Sequence, residues 1–163
     1  MCMPSIRPVP WVEKTRERIA PVLGQKEAQE RVRVGKMGDL GAFRAGFVHL
    51  VVALGVYHST TNQEQWDRAL SETARVLMPG GQVLVANFSP RSDPTGQGLR
   101  KVKGEKHLYD GIYNGRHYLL EADELDAEMA RFGLVPAVPT ETVTKQTDSG
   151  HRVTVNALYL KKK

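Results

Sequence analysis

Residues 47–58, FVHLVVALGVYH, and residues 82–88, QVLVANF, are two strongly apolar stretches of this 163-residue sequence. Their nearly continuous β-branched and aliphatic residues are typical of parallel strands buried on both faces. Between them, apolar side chains recur at helical spacing. The helical positions are Trp66, Ala69, Leu70, Thr73 and Leu77. The sequence therefore predicts a strand, a helix packed through one face, and a second strand parallel to the first.

The ends of this helix also carry signals. Residues 61–64, TNQE, match a capping box, in which the Thr hydroxyl and the Glu carboxylate satisfy unpaired backbone N–H groups. Residues 79–81, PGG, cannot easily continue a helix. We therefore expect the helix to begin after Thr61 and to end before Pro79.

Further elements are predicted before this unit. A first helix begins at Pro10 and ends at Pro21 and Gly24. Residues 31–37 alternate and predict a short strand closed by Gly38 and Asp39.

The chain beyond residue 88 begins with a segment rich in Pro and Gly, residues 89–117, which predicts a long substrate-side loop. Leu125, Met129 and Phe132 then indicate a helix that ends at Gly133. The alternating residues 141–145 and 153–159 flank the turn sequence DSG and predict two antiparallel strands. A parallel α/β pattern that finishes in an antiparallel hairpin narrows the choice of folds.

Composition limits the functional classes. The formal charge of +5, from 23 Lys+Arg and 18 Asp+Glu, comes largely from residues 100–106 and the three C-terminal lysines. It favours solvated loop and tail charge over a nucleic-acid surface, since no aromatic residues are interleaved to stack bases. A lone cysteine, Cys2, provides no internal disulfide or metal cluster. The apolar runs are too short to cross a bilayer, and residues 1–11 lack an apolar signal core, so we expect a cytoplasmic protein.

Three segments carry a family resemblance: residues 47–58, the sequence ARVLMPGG at 74–81, and VLVA at 83–86. Together they resemble class I S-adenosylmethionine-dependent methyltransferases, and within them the type 11 small-molecule enzymes. The resemblance implies a partial methyltransferase domain over residues 1–163, an α/β Rossmann-like three-layer sandwich truncated at the N-terminus, with parallel strands ending in an antiparallel β-hairpin. It also implies S-adenosylmethionine as cofactor and a small-molecule methyl acceptor that attacks through O, N or C.

The resemblance further implies which residues form the site. Gly38, Asp39 and Leu40 would follow the family's third strand and contact the adenine, and Ala53, Leu54 and Gly55 would lie beside the cofactor at the tip of the fourth. Tyr57 and His58 would face the methyl-transfer pocket. Apart from the resemblance, the position of the long middle segment makes Tyr109 and Tyr113 substrate-side candidates, with Tyr118, His107 and His117 nearby.

Each candidate has a simpler alternative. Asp39 would also suit a turn, because its side chain bonds local backbone readily. His58 is the candidate catalytic base, since an ordinary pKa near about 6.5 suits proton removal, but it would equally cap a helix or face solvent. The tyrosines could be surface loop residues. His49 departs from the Asp common in the family, and we expect only a packing difference there.

The glycine-rich loop that holds the cofactor in this family has no counterpart. The only G-x-G, Gly96–Gly98, lies in the Pro-rich segment and opens no helix. In the family's strand order 3-2-1-4-5-7-6, strands 1 and 2 would be absent, which places Asp39 roughly 14 Å from its usual neighbour. The fourth strand would then expose an apolar, unpaired edge open to another chain. Cofactor binding by this chain alone is expected to be impaired.

Three explanations remain open for this absence: a truncated product, a degenerate enzyme whose third strand pairs with the fourth, or a second polypeptide that supplies the missing part. Two other functions are weighed against methyl transfer. One is a non-catalytic module that forms homo- or hetero-associations through the fourth-strand edge. The other is a nicotinamide-dependent oxidoreductase, which would need the same glycine fingerprint and is disfavoured by the final hairpin.

Overall fold

The computed structural model describes residues 10–112 and 115–162, and the chain divides into two compact units, residues 1–36 and 37–163. The first unit contains helices α1 (Pro10–Leu23) and α2 (Gln25–Arg31), of which α2 was not predicted. Pro21 lies inside α1 and does not end it. Because it stands only two residues before the end of the helix, few backbone hydrogen bonds follow the one that the proline cannot donate. The helix closes with the bond from the Gly24 amide to the Ala20 carbonyl (2.8 Å). Gly24 then separates the helices at φ 86°, a conformation that glycine adopts without a Cβ penalty. Whether both units form one domain over residues 1–163 stays a prediction.

The strand predicted for residues 31–37 is wrong. Arg31 ends α2, and the described chain contains no strand before residue 48. A strand requires a neighbour that satisfies its backbone polar groups. Here the guanidinium of Arg16 donates instead to the Val32 carbonyl, through Nε at 2.9 Å and Nη2 at 2.7 Å.

The second unit is built on a mixed sheet whose first two strands are parallel. Strands β1 (Val48–Leu54) and β2 (Leu77–Phe88) pair with Val51 opposite Val83. A 3₁₀ turn (Tyr57–Ser59) and helix α3 (Gln63–Val76) connect them. The predicted strand–helix–strand unit is therefore confirmed.

The cap of α3 differs from the prediction by one residue. Asn62 is the N-cap, and its side chain accepts the Gln65 amide at 2.8 Å. The Gln65 side chain in turn accepts the Thr61 amide at 3.0 Å. Asn62 and Gln65 thus perform the roles predicted for Thr61 and Glu64. The substitution of one pair for the other is possible because Asn62 and Gln65 are also three residues apart.

The chain ends in an antiparallel hairpin, as predicted. Strand β7 (Glu141–Thr147) pairs with β8 (Gly150–Lys161), and β8 runs antiparallel to β2 on its other side. Helix α4 (Ala122–Ala130) precedes a short strand β6 (Leu134–Pro136), which pairs with the far end of β8 and was not predicted. The resulting order is β1-β2-β8, with β6 and β7 following each other along the outer edge of β8.

The segment predicted as a long loop contains a second, three-stranded antiparallel sheet. Its strands are β3 (Arg100–Lys101), β4 (Leu108–Ile112) and β5 (Gly115–Tyr118). Strands of two to five residues give too few alternations to be recognised from sequence. The loop prediction for residues 89–117 is corrected accordingly.

The core of the second unit lies on one face of the mixed sheet. Helices α3 and α4 contribute their apolar sides to it. The buried cluster includes Ala53, Val83, Val85, Val155, Ala157 and Tyr159 from the strands and Trp66, Ala69, Leu70, Leu125 and Met129 from the helices.

The opposite face of the sheet is open. Leu50, Val52 and Leu54 of β1 are 51%, 54% and 57% exposed. The prediction that β1 is buried on both faces is therefore wrong, because α3 and α4 cover only one side. Within the described residues, β1 pairs only with β2 and is the edge of the sheet. No helix in the described part of the chain is both long and apolar enough to span a membrane.

The one-sided core can be tested with the same substitution on both faces. Val83→Ala removes two methyl groups from a fully buried position and is expected to lower the free energy of unfolding by about 2 kcal/mol. Val52→Ala removes the same groups from the open face and is expected to cost under about 0.5 kcal/mol. Urea denaturation followed by circular dichroism measures both, and equal losses would contradict a core confined to one face.

Candidate functional site

The carboxyl ends of β1 and β2 open into a cavity of about 450 Å³, which we call the strand-end cleft. Ligands of open α/β sheets bind at this edge, where the strands end and their connections leave the sheet. Three groups of residues line the cleft: Gly55 and His58 after β1; Ala86, Asn87 and Phe88 at the end of β2; and Val143, Lys145, Arg152 and Thr154 from the β7–β8 hairpin.

Gly55 turns the chain out of β1 at the rim of the cleft. Its φ of 72° lies in the left-handed region that favours glycine. Its amide donates to the Ala86 carbonyl at 2.8 Å, which fixes the end of β1 against β2. An added Cβ would lie 3.7 Å from Cε1 of His58, an ordinary van der Waals contact, so it is the positive φ and not the available space that favours glycine here.

His58 is held against the end of β2. Its Nδ1 accepts the Phe88 amide at 3.1 Å, and the two rings are 4.9 Å apart between centroids. Burial, followed by the nearby His117, lowers the pKa of His58 to about 4. Because the Phe88 amide can only donate, Nδ1 must carry the lone pair, and the proton of the neutral ring is on Nε2.

This geometry opposes the predicted role of His58 as a general base. The lone pair on Nδ1 is engaged by Phe88, and Nε2 already carries a proton at neutral pH. The ring can instead donate a hydrogen bond through Nε2 while its orientation is fixed by the backbone.

Tyr57 does not face the cleft, and its predicted substrate role is corrected. It is 2% exposed, and its ring lies edge-on to Trp66 with centroids 6.1 Å apart. Its hydroxyl lies 2.7 Å from that of Thr73, which itself donates to the Ala69 carbonyl, so Tyr57 is the donor of this pair. Burial raises its pKa to about 12. Tyr57 is a core residue because the 3₁₀ turn directs it towards α3.

Comparison with known proteins agrees with this architecture. The family model described as "Methyltransferase domain" matches residues 13–85. The predicted class I resemblance is confirmed. This chain has the fold of the S-adenosylmethionine-dependent methyltransferases. Comparison with curated proteins gives no significant match.

Three solved structures illustrate the likeness. A methyltransferase from Methanosarcina mazei has a TM-score of 0.61 at 14% identity, over 80% of this chain. The 1,6-didemethyltoxoflavin-N1-methyltransferase of Burkholderia thailandensis has a TM-score of 0.66 at 16% sequence identity, over 97% of this chain. The PH0226 protein of Pyrococcus horikoshii has a TM-score of 0.64 at 15% identity, over 93% of this chain. This chain spans 66%, 59% and 66% of the lengths of these three proteins.

The methyltransferase fold leaves the other predicted cofactor residues away from the strand-end cleft. Gly38 and Asp39 line a separate cavity of about 800 Å³ beside α3, which shares no lining residue with the strand-end cleft. Leu40 donates its amide to Glu72 at 2.7 Å, and its carbonyl accepts from Arg75 at 3.0 Å. The hydrogen bonds from Arg75 and from this amide hold the pKa of Glu72 down to about 2.

Asp39 forms a local turn. Its Oδ1 accepts the Gly41 amide at 3.1 Å, as in the turn alternative considered from the sequence. The structure therefore does not bring Asp39 and Leu40 together with Gly55. Ala53 is buried in the core, and Leu54 lies on the open face of the sheet.

These observations test the fit of S-adenosylmethionine to the described residues. Of the predicted contact residues, Gly38 and Asp39 line one cavity and Gly55 lines another, and the Leu40 amide is already satisfied by Glu72. The described residues alone do not compose a complete site for the cofactor.

The aromatic residues of the second sheet have mixed roles. Tyr109 lies opposite His117 in the β4–β5 pair, with Lys101 Nζ 6.0 Å from its ring, and does not line the strand-end cleft. Tyr113 lies outside the described residues. Tyr118 stacks on Trp66 with centroids 4.9 Å apart and donates to Gln63.

Sequence reasoning missed most of the cleft wall. Asn87, Phe88, Lys145 and Arg152 were not predicted as site residues, although the hairpin register around the DSG turn would have paired the last two. No cluster of three or more His, Cys, Asp or Glu side chains suited to a metal ion occurs among the residues that the structure describes.

The state of His58 can be measured directly. We expect its NMR titration midpoint near pH 4, with the proton on Nε2 above it. In the unfolded chain the His58 ring has a pKa of about 6.5. The neutral ring therefore contributes fully to the free energy of unfolding above that pH, and this contribution is lost as the pH falls towards 4. His58→Gln should lack this part of the pH dependence. A midpoint near the ordinary value, or a proton on Nδ1, would contradict the hydrogen bond to Phe88.

Proposed function

We propose that this chain provides the acceptor side of an S-adenosylmethionine-dependent methyltransferase that methylates an O, N or C atom of a small molecule. The observation that carries the proposal is the strand-end cleft at the carboxyl ends of two parallel strands, in a chain whose residues 13–85 match a methyltransferase domain. The Burkholderia protein of similar fold has 1,6-didemethyltoxoflavin and S-adenosylhomocysteine bound, which supports a small-molecule acceptor.

The cleft would act mainly by positioning. The Phe88 and His58 rings, with centroids 4.9 Å apart and planes tilted by 30°, give one wall of the cleft a partly apolar surface. Nε2–H of His58 would orient an acceptor oxygen or nitrogen. Holding two reactants in reactive geometry is a large part of the rate enhancement of a bimolecular transfer.

We further propose that this chain by itself binds the cofactor poorly. Asp39 and Gly55 line different cavities, and no glycine-rich loop follows a strand in the described residues. The cofactor would need additional contacts beside β1, the edge of the sheet. A cytoplasmic location stays a prediction from the sequence.

The proposal is tested by equilibrium dialysis with tritiated S-adenosylmethionine. The chain alone is expected to show no saturable binding. Adding a peptide with the glycine-rich strand, loop and following helix of a family member should restore saturable binding, because those N–H groups hold the cofactor. The control peptide has the loop glycines replaced by valine. No binding with either peptide would refute the proposed function for this chain.

A second candidate function is association with another copy of the chain through β1. Natural edge strands usually carry charges, prolines or bulges that block pairing. Residues 48–54, VHLVVAL, contain no proline or glycine, and His49 is their sole ionisable side chain. An antiparallel copy centred on Val51 would place His49 opposite Ala53 and avoid any pair of like charges, and the exposed Leu50 and Val52 would be partly covered.

Sedimentation velocity tests this association. The chain is expected to form a concentration-dependent dimer that Val52→Lys abolishes, because a charge on the edge strand opposes pairing. Val143→Lys changes an equally apolar, exposed residue on β7 and should leave the dimer intact. A monomer at every concentration, or equal effects of both variants, would argue against it.

A further inference from the structure

Two histidine rings pack together where the second sheet meets the strand-end cleft. His58 lines the cleft, and His117 of β5 lies edge-on to it, with ring centroids 5.6 Å apart. His58 is buried and His117 is half-buried. What the pair can bind depends on which nitrogen of each ring is already engaged by the backbone.

Backbone hydrogen bonds fix the free nitrogen of each ring. Nδ1 of His58 accepts the Phe88 amide at 3.1 Å, so the proton of the neutral ring is on Nε2. Nε2 of His117 lies 2.9 Å from the Ile112 carbonyl, which can only accept, so this nitrogen is the donor. The neutral His117 ring therefore has its lone pair on Nδ1. Together the two rings offer one N–H donor and one acceptor.

The free acceptor of His117 is buried without a partner. No hydrogen-bond donor reaches its Nδ1 within the described part of the chain. Buried polar atoms without a partner are uncommon and costly. The same observation excludes a direct hydrogen bond from Nε2 of His58 to this nitrogen. A third group that donates a hydrogen bond is therefore needed to satisfy Nδ1.

A single hydroxyl group suits this position in both size and chemistry. Two hydrogen bonds that share one oxygen atom span up to about 6 Å between the outer atoms, and the two ring centroids are 5.6 Å apart. A hydroxyl donates one hydrogen bond and accepts others at the same time. It would donate to Nδ1 of His117 and accept from Nε2 of His58. A carbon nucleophile offers neither interaction.

We propose that the His58–His117 pair recognises the hydroxyl group of the methyl acceptor, which makes the substrate of the strand-end cleft a small phenol or alcohol. The hydroxyl lies at the inner end of the cleft, because His58 lines the cleft and His117 lies behind that ring. The apolar body of the acceptor packs on Phe88 and Val143, which line the same cleft. The inference rests on the proposed function, because it names the substrate class of this cleft. It requires no bound cofactor.

The test is an NMR titration of the full-length chain, without cofactor, with phenol, anisole and toluene. Phenol has the hydroxyl, anisole keeps the oxygen without its proton, and toluene lacks both. We expect phenol to bind with a Kd about tenfold lower than that of anisole, because only phenol donates to the unpaired acceptor. Phenol should also move the ¹⁵N resonance of His117 Nδ1, and anisole should not.

Three results of this titration would overturn the proposal. The first is equal affinity for phenol and anisole, and the second is no binding of any of the three probes. The third is phenol binding that leaves the Nδ1 resonance of His117 unchanged, since this position would then hold water alone.

Two matched variants locate the effect. His117→Phe keeps a ring beside His58 and removes the Nδ1 acceptor, so it should make the affinities for phenol and anisole equal. His151→Phe is the control, because Nε2 of His151 also lies 2.9 Å from a backbone carbonyl, that of Arg91, and His151 is not among the described residues that line the cleft. It should leave the tenfold preference unchanged. If both variants abolish the preference, or neither does, the proposed site is wrong.

The ¹⁵N measurement on the unmodified chain decides the question even where a variant loses the fold. Failure of this inference is also distinct from failure of the proposed function, because the titrations contain no cofactor and the dialysis experiment contains no acceptor. Saturable cofactor binding with the glycine-rich peptide, together with equal affinities for phenol and anisole, would retain the proposed function and remove the hydroxyl site.

Discussion

The parallel pairing of β1 with β2 is the constraint on which the rest of the second unit depends. Two parallel strands cannot be joined by a tight turn, so the chain must cross one face of the sheet. Here α3 makes that crossing and buries Trp66 between the rings of Tyr57 and Tyr118. The same pairing places the ends of both strands at one edge, and the Gly55 amide joins that edge to β2.

The cleft follows from this arrangement because each wall comes from a different element. The turn after β1 supplies His58, the end of β2 supplies the Phe88 amide that orients it, and the hairpin supplies two basic side chains. His58 is thereby a fixed neutral donor, since burial lowers its pKa and the backbone occupies its Nδ1. One backbone hydrogen bond thus fixes the orientation of the histidine that the sequence analysis named as the candidate base.

The two predicted halves of the cofactor site, residues 38–40 and residues 53–55, lie apart in the described structure, and the sheet is covered on only one face. Residues 38–47 are bound to the outer side of α3: Glu72 and Arg75 hold Leu40, and the Phe47 amide donates to the Val76 carbonyl at 2.9 Å. With its own amide satisfied there, Leu40 is not available at the edge beside β1. The open face and the unpaired edge of β1 are consequences of the same arrangement.

The sequence by itself determined the elements whose signals are local. The apolar runs of β1 and β2, the buried stripe of α3 and the alternating strands of the β7–β8 hairpin are each patterns that repeat over a few consecutive residues, and all five elements are present. The resemblance to class I methyltransferases was also recognisable, because ARVLMPGG at 74–81 comes one residue before the apolar run VLVA. Short strands such as β3 and β6 gave too few residues for any pattern to show.

Only the tertiary structure decided which face was covered, which residues met, and what each could do. The segment 31–37 alternates as a strand does, but no neighbouring strand in the described part of the chain pairs with its backbone, so it does not form one. Tyr57 and His58 are adjacent in sequence, yet one lies in the core and the other at the cleft, because a 3₁₀ turn separates their directions. Lys145 and Arg152 are paired by the local hairpin, but they line the strand-end cleft together with Phe88 only because β8 also pairs with β2, a contact between segments distant in the chain that no local pattern encodes.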